Sequence, residues 1–212
     1  DLLSQVPPSR IFHEFLKLFF FGHATVTYSK MTEYGYMKAL FPGVSQVLTE
    51  RALPTDLKLI DRALKATDDR FHAKKSINPG FLVAVFLWPV VRFHEQQLKD
   101  IERKPHARFM RAMDLALSNA SELMHLPHRM VAMIRAMWRM QQHLENPKAR
   151  RVDGLYAQRY FRAAYDLLEL RAQAGETRFK WPHWWRSYQK SSTKMRDKLL
   201  RKLKEQQPGK RH

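Results

Sequence analysis

Few residues of this chain have the types and spacing that enzymes use for chemistry. Asp68 and Asp69 form its one adjacent acidic pair. Two metal ions at a transferring phosphate need carboxylates held close together, yet neighbours on a helix point about 100° apart. No glycine-rich loop precedes the pair to receive a triphosphate. We therefore interpret the pair as a solvated helix end.

Other signatures of catalysis are missing from the sequence. It contains neither a Gly-x-x-x-x-Gly-Lys-Ser/Thr loop nor a Gly-x-Gly-x-x-Gly loop, and no Ser or Cys nucleophile motif. His125 and His128 are separated by Pro127, with no third ligand evident. The absence of cysteine excludes disulfides and thiolate zinc sites, and it fits a reducing cytoplasm. We predict no catalytic residue, metal site or cofactor in this chain.

Positive charge is the strongest feature of the composition. Lys and Arg number 38 against 20 acidic residues, which gives a formal charge of +18 and a pI near 10.3. A surplus of this size indicates nucleic acid as the partner, and less often an anionic membrane or merely a soluble basic protein. Five Trp, seven Tyr and ten His accompany the cations and offer rings on which bases can stack. We predict nucleic-acid binding.

The candidate phosphate contacts are basic residues in the second half of the chain. They are Arg135, Arg139, Lys148, Arg150, Arg151, Arg159, Arg162, Lys194, Arg196, Lys198, Arg201 and Lys202. For the group at 148–162, a solvated basic face is the alternative interpretation. Trp184 and Trp185 are candidates for base stacking, because the three Trp in residues 181–185 cannot all face one core. The alternative is that these Trp hold the last helix in place.

One apolar segment must organise the elements that position these residues. From Phe81 to Val91 no side chain is charged or hydrogen-bonding except the Trp88 indole. A helix that is apolar all round has to be buried all round, and this segment falls far short of the roughly 18–20 residues that span a bilayer. Asn78 suits an N-cap and Pro79 the first helical position. The sequence predicts a central core helix here.

Amphipathic segments around this helix predict a wholly helical protein. Apolar residues recur at helical spacing between Pro or Gly breaks, without the sustained alternation of strands. The predicted helices span 10–21, 24–34, 36–41, 54–71, 105–126, 128–144, 160–174 and 176–188, the last interrupted by Pro182. Residues 44–52 add a turn or two, and 148–151 form a basic connector. Leu199, Leu200 and Leu203 could give the basic residues 190–212 a weak helix, but we expect disorder there without a partner.

Several stretches of the sequence, taken in order, resemble the bacterial poly(A) polymerases. They are Val6-Pro7-Pro8-Ser9-Arg10-Ile11-Phe12-His13-Glu14-Phe15-Leu16-Lys17-Leu18-Phe19, Leu40-Phe41-Pro42, Thr67-Asp68-Asp69-Arg70-Phe71-His72, Ile77-Asn78-Pro79-Gly80-Phe81-Leu82, Trp88-Pro89, Phe161-Arg162-Ala163-Ala164-Tyr165-Asp166-Leu167-Leu168 and Trp184-Trp185. A single match is weak, but the ordered set over residues 1 to about 189 is specific. A basic tail after the Trp pair is also typical of the family.

The resemblance implies a helical neck and body that bind RNA. It divides the chain into a neck-like helical region (1–75), an RNA-binding helical body (76–189) and a basic tail (190–212). It implies that the parent protein adds AMP from ATP to RNA 3′ ends, with Mg²⁺ and ATP held by a catalytic head. The implied partner is RNA, mainly its single-stranded 3′ ends, and not a membrane. Because the head's Gly-Ser motif and paired aspartates are absent from this sequence, we expect this chain alone to be inactive.

Two other interpretations stay open. The CCA-adding tRNA nucleotidyltransferases share the Arg-x-x-x-Glu pattern of Arg10 and Glu14, although they usually lack a long basic tail. A free-standing basic helical protein that docks on an acidic partner or a membrane surface has a similar composition. The chain shows no secretory signal and does not begin with Met, so we expect a piece of a longer cytoplasmic protein.

Overall fold

The computed structural model describes residues 5–51 and 53–206, and within these ranges every regular element is a helix. The helices are α1 (Pro8–Phe19), α2 (Ala24–Glu33), α3 (Tyr36–Leu40), α4 (Pro42–Glu50), α5 (Pro54–His72), α6 (Pro79–Gln97), α7 (Pro105–Leu123), α8 (His128–Leu144), α9 (Ala149–Tyr156), α10 (Phe161–Gln173), α11 (Lys180–Lys190) and α12 (Thr193–Glu205). The predicted all-α fold is confirmed. The chain forms two compact units, which meet in sequence between Arg135 and Ala136 of α8. The predicted functional regions 1–75, 76–189 and 190–212 stay a prediction.

Helix α6 is the centre of the first unit, as predicted. Asn78 caps it by accepting a hydrogen bond from the Gly80 amide over 3.0 Å, and Pro79 opens its first turn. Every residue from Leu82 to Val91 is buried. Helices α4, α5 and α7 pack directly on α6. The segment that is apolar on every side is therefore covered by other helices.

Phe86 of α6 contacts aromatic rings from the preceding helices. Its ring centroid lies 5.4 Å from that of Phe41, 5.6 Å from Phe19, 5.8 Å from Tyr28 and 6.4 Å from Phe15. The three Phe contacts are edge-on, an arrangement that aromatic pairs favour. Burial raises the pKa of the Tyr28 phenol. One side chain of α6 thus joins α1, α2 and the α3–α4 junction to the core.

Two glycines allow close approach within the first unit. Gly22 has a φ of +82°, a backbone conformation that favours glycine. A Cβ at this position would also lie only 2.5 Å from the Phe71 ring. A Cβ on Gly80 would lie 2.7 Å from the Met133 methyl and 2.9 Å from Met130. The start of α6 therefore sits directly against α8.

The second unit differs from the sequence-based expectation in three helices. The predicted connector at 148–151 is part of α9, which buries Val152 and Leu155. The prediction of disorder after residue 190 is wrong for α12, whose Leu203 is buried; residues 207–212 lie outside the described part of the chain. Pro182 does not interrupt α11, because it falls in the first turn, where a helix needs no amide donor.

Removing the Phe86 ring should cost much of the stability of the first unit. We expect Phe86→Ala to lower the free energy of unfolding by about 3–5 kcal/mol, because apolar contact is lost and a cavity remains. Domains commonly have only about 5–15 kcal/mol in total. Urea denaturation followed by circular dichroism measures the change. Leu18→Ala, at a residue 46% exposed, is the control; equal losses in the two variants would show that α6 is not central.

Candidate nucleic-acid interface

A buried ion-pair network fixes α8 and α10 in the second unit. The Arg171 side chain is 4% exposed and donates to Gln141 and to Glu176, each over 2.9 Å, and it pairs with Glu145. Gln141 donates in turn to the Ala164 carbonyl over 2.9 Å. Burial works against the charged guanidinium, but the Glu176 and Glu145 carboxylates outweigh it and raise the pKa of Arg171. Arg171 therefore holds the scaffold and is not a surface contact.

The two candidate stacking residues have different surroundings. Trp185 is fully buried, donates its indole N–H to the Leu144 carbonyl over 2.9 Å and lies edge-on to Phe161 at 5.1 Å. A base cannot reach it, so the role proposed for Trp185 is corrected from stacking to core packing. Trp184 is half-buried, and its ring lies parallel to that of Tyr188 at 5.4 Å. Base stacking by Trp184 stays a prediction.

The cations at residues 148–151 are presented by helix α9. Lys148 precedes its first turn, and Arg150 and Arg151 lie within that turn; all three are exposed. Val152 and Leu155 are three residues apart and buried, which places them on one face of the helix. The apolar face of α9 packs into the unit, and its basic residues stay in solvent.

Arg196 fastens α12 to the second unit. Its guanidinium lies 4.7 Å from the Tyr156 ring centroid and 5.2 Å from that of Tyr188. It donates to the Tyr188 carbonyl over 3.0 Å, and to the Gln189 carbonyl and the Tyr156 hydroxyl over 3.3 Å each. The Tyr188 hydroxyl donates a hydrogen bond to Asp153. Burial of the phenol and this hydrogen bond both raise the pKa of Tyr188. We therefore reassign Arg196 from phosphate binding to anchoring.

The other candidate cations of α12 remain in solvent. Because α12 packs on α9, the exposed candidate cations of α12 and those at the start of α9 lie on adjoining elements. We name this set the α9–α12 basic surface. Its members are Lys148, Arg150, Arg151, Lys194, Lys198, Arg201 and Lys202.

Two candidate arginines lie on α8, one in each unit. The predicted methionine face is buried at Met133 and Met137, while Arg139 is exposed. Arg135 pairs with Asp114, and both side chains are at least 36% exposed. Exposed pairs contribute little energy, so Arg135 is only weakly committed to this carboxylate.

Arg159 and Arg162 flank the start of α10. The Arg159 guanidinium lies 5.4 Å from the Tyr160 ring centroid. Arg162 pairs with Asp166 over 3.0 Å and lies 5.6 Å from the Tyr165 ring. Both arginines are exposed, so both are sterically open to a phosphate.

Asp68 has a structural role in the first unit. Its carboxylate accepts hydrogen bonds from the Ala24 amide over 2.6 Å, the Thr25 amide over 3.1 Å and the Thr25 hydroxyl over 2.9 Å. Asp68 thus caps α2 and is not the solvated helix end that the sequence suggested. In the described residues, no three His, Cys, Asp or Glu are grouped to hold a metal ion. Nor is any helix there long and apolar enough to cross a membrane.

Sequence reasoning did not reveal which contacts hold the α9–α12 basic surface in place. Arg196 bonds to Tyr156, which lies 40 positions earlier in the chain, and no local pattern links the two. The signal available for α9 was the apolar pair Val152 and Leu155, whose spacing fits one helix face.

Two protein-family models match this chain. The first, described as the polymerase A arginine-rich C-terminus, matches residues 102–212, more than half of the chain. The chain belongs to the poly(A) polymerase family. The second, described as the probable RNA and SrmB-binding site of polymerase A, matches residues 1–48 of this family member. The resemblance inferred from the ordered motifs is confirmed.

Similar proteins in the family come from several bacteria. Poly(A) polymerase I of Escherichia coli O6:H1 is 31% identical over 208 residues, which are 97% of this chain and 45% of the relative. The Salmonella typhi enzyme is 31% identical over 95% of this chain and 44% of the relative, and that of Haemophilus influenzae is 33% identical over 98% and 46%. The chain spans about half the length of the curated relatives it matches.

Loss of the Arg196 anchor should release α12 without unfolding the rest of the unit. In Arg196→Gln, the two cation–π contacts and the charge-assisted hydrogen bonds disappear. We expect amide hydrogen exchange at residues 193–205 to accelerate roughly tenfold or more, because local opening is easier. Lys198→Gln removes the same charge from an exposed position of α12 and is the control. Similar exchange in both variants would contradict the anchoring role.

Proposed function

We propose that this chain is the RNA-holding part of a bacterial poly(A) polymerase. The observation that carries the proposal is the match of nearly the whole chain to proteins named poly(A) polymerase I, with a family model that names an RNA-binding site. In this proposal the parent protein is a cytoplasmic enzyme that adds AMP from ATP to RNA 3′ ends. Mg²⁺ and ATP bind in a part of that protein other than these 212 residues. The partner is RNA, mainly single-stranded 3′ ends, and not a membrane.

The α9–α12 basic surface suits a partner whose sequence varies. Its seven exposed cations lie on two adjoining helices. Single-stranded RNA carries a phosphate at every nucleotide, and contacts to phosphates do not read the base. An enzyme that extends many different RNAs has to accept many 3′ ends. Electrostatic binding of phosphates, which does not depend on sequence, therefore fits the proposed reaction.

Other candidate residues add to the proposed RNA contacts. Arg139 and Arg159 are exposed and add phosphate contacts. Arg135 and Arg162 each pair with an exposed or half-buried carboxylate, and such pairs are weak enough for a phosphate to compete. Trp184 offers a half-buried ring to a neighbouring base.

A second candidate function is the docking of a protein partner on the first unit. An apolar groove of about 740 Å³ is lined by residues of α1, α2 and α3. Leu18, Val26, Tyr34 and Tyr36 at this groove are 46%, 61%, 66% and 52% exposed. The family model for residues 1–48 names SrmB as well as RNA. In this alternative, Val26→Glu abolishes binding of SrmB and leaves RNA affinity unchanged.

Neutralising α12 should weaken RNA binding and reduce its salt dependence. In a variant with Lys194, Lys198, Arg201 and Lys202 changed to Gln, we expect the slope of log affinity against log salt to become less steep by roughly 3. This follows from about 0.7 per phosphate contact for single strands. Arg196 and Leu203 are kept so that α12 remains packed. Fluorescence anisotropy with labelled oligonucleotides over a salt series measures the slope.

The control removes four exposed lysines elsewhere: Lys58, Lys65, Lys99 and Lys104. This variant has the same net charge as the α12 variant. If the two lose slope equally, only overall charge matters, and the α9–α12 basic surface is not the site. Homopolymers of different bases should weaken by similar factors in the α12 variant.

The chain by itself should not transfer AMP. Its sequence has no phosphate-binding glycine-rich motif, and Asp68 is committed to capping α2. We expect no extension of an RNA with a free 3′ hydroxyl in the presence of labelled ATP and Mg²⁺. The full-length Escherichia coli enzyme serves as the positive control. Extension above a buffer blank would show that this chain catalyses AMP transfer. It would contradict the proposal that the chain only holds RNA.

A further inference from the structure

A second depression in the first unit combines cations with aromatic rings. It lies between α1 and the turn that joins α5 to α6, and its volume is about 480 Å³. The lining includes His13, Lys17, Phe20, Phe21 and Lys75. We name it the α1–α5 cleft. None of these five residues is among the site residues predicted from the sequence.

The cations of the cleft are available to a ligand. Lys17 on α1 and Lys75 in the turn are both exposed. The Lys17 ammonium lies 3.0 Å from Glu14, but the two side chains are 65% and 51% exposed. Surface pairs of this kind contribute little, since water screens them. A phosphate can therefore exchange for Glu14 at small cost.

The aromatic side of the cleft is exposed and consists of two neighbouring rings. Phe21 is 60% exposed, and its ring lies 6.3 Å from that of Phe71, which is 39% exposed. Gly22 follows Phe21 with a φ of +82°, and a Cβ there would collide with Phe71. The absence of a Cβ at Gly22 therefore leaves the space that the Phe71 ring occupies beside Phe21. Two adjoining exposed rings form a contiguous apolar patch, which indicates an interaction surface where a single exposed ring would not.

We propose that the α1–α5 cleft binds one nucleotide of single-stranded RNA. The base stacks on Phe21, and the adjoining phosphates contact Lys17 and Lys75. An exposed ring between cations is the arrangement by which proteins hold single strands without reading sequence. The inference rests on the proposed RNA function and deepens it, because the family model for residues 1–48 names RNA without saying which residues hold it.

The decisive test separates stacking from simple apolar contact. Phe21→Leu keeps an apolar side chain beside Phe71 but removes the aromatic face, whereas Phe21→Trp enlarges that face. In anisotropy titrations of the 212-residue chain with single-stranded oligonucleotides, we expect Phe21→Leu to weaken binding roughly fivefold or more. Phe21→Trp should bind at least as tightly as the unaltered chain. Phe179→Leu makes the same change at a ring that is 51% exposed and should leave RNA affinity unchanged.

The charge test uses a matched pair of double variants. Lys17→Gln with Lys75→Gln should reduce the salt slope by roughly 1.4, at about 0.7 per phosphate. The control is Lys30→Gln with Lys38→Gln, also in the first unit and also including one lysine paired to a glutamate three residues away. The control pair should change the slope by less than half as much. Unchanged melting temperatures show that all variants are folded.

The outcomes separate this inference from the function on which it rests. If the unaltered chain binds RNA but Phe21→Leu and the Lys17/Lys75 pair behave like their controls, the cleft is not an RNA site and the proposed function stands. If the cleft variants retain RNA binding but lose binding of a polyglutamate peptide, the ligand is an acidic protein segment and the inference is overturned. If the unaltered chain binds no RNA, both proposals fail.

Discussion

The first unit depends on the burial of α6, because a helix with no polar face between Leu82 and Val91 has no side that water can cover. Each large apolar side chain removed from water contributes about 1.5–3 kcal/mol. This is a large amount beside the roughly 5–15 kcal/mol that holds a domain together. The helices around α6 must therefore pack their apolar faces against it. On α1, Phe15 and Phe19 are buried for this reason, and Lys17 between them is exposed.

The second unit uses the same side-chain type in three physical situations. Arg171 is buried, and burial of a charge is tolerated only because Glu145 and Glu176 compensate it. Arg196 is half-buried over two tyrosine rings and holds α12 in place. Arg150 and Arg151 are exposed, and neither makes a side-chain hydrogen bond or ion pair with the part of the chain that the structure describes. Positive charge alone therefore does not identify an RNA contact; what each guanidinium already binds decides which arginines remain available.

The proposed functions call on two kinds of contact that differ in physics. The α9–α12 basic surface offers charge without a fixed pocket, and such contacts are long-ranged and weakened by salt. The α1–α5 cleft offers a fixed ring, and stacking acts only at short range and requires an unpaired base. Together the two kinds would hold RNA of any sequence while favouring single strands over duplexes. This combination fits the proposed binding of RNAs that differ in sequence.

The sequence by itself determined those features that depend on neighbours along the chain. The apolar run of α6, its Asn78 cap, the breaks at Pro and Gly and the all-α fold follow from spacing within one or two helical turns. The ordered motifs also determined the family. Even so, the start of α9 was taken for a connector, and disorder was preferred to a weak helix for α12, because each has only one or two buried apolar residues among many charges.

Only the tertiary structure decided which polar and aromatic residues are committed to the protein itself. Asp68 bonds to an amide 44 positions away, Arg196 to a hydroxyl 40 positions away and Trp185 to a carbonyl 41 positions away. Lys75 enters a cleft with Lys17 in the same way, across four helices. Helical periodicity records which face of a segment is apolar, but not which other segment that face will meet. Contacts between distant segments are set by packing, and no local spacing encodes them.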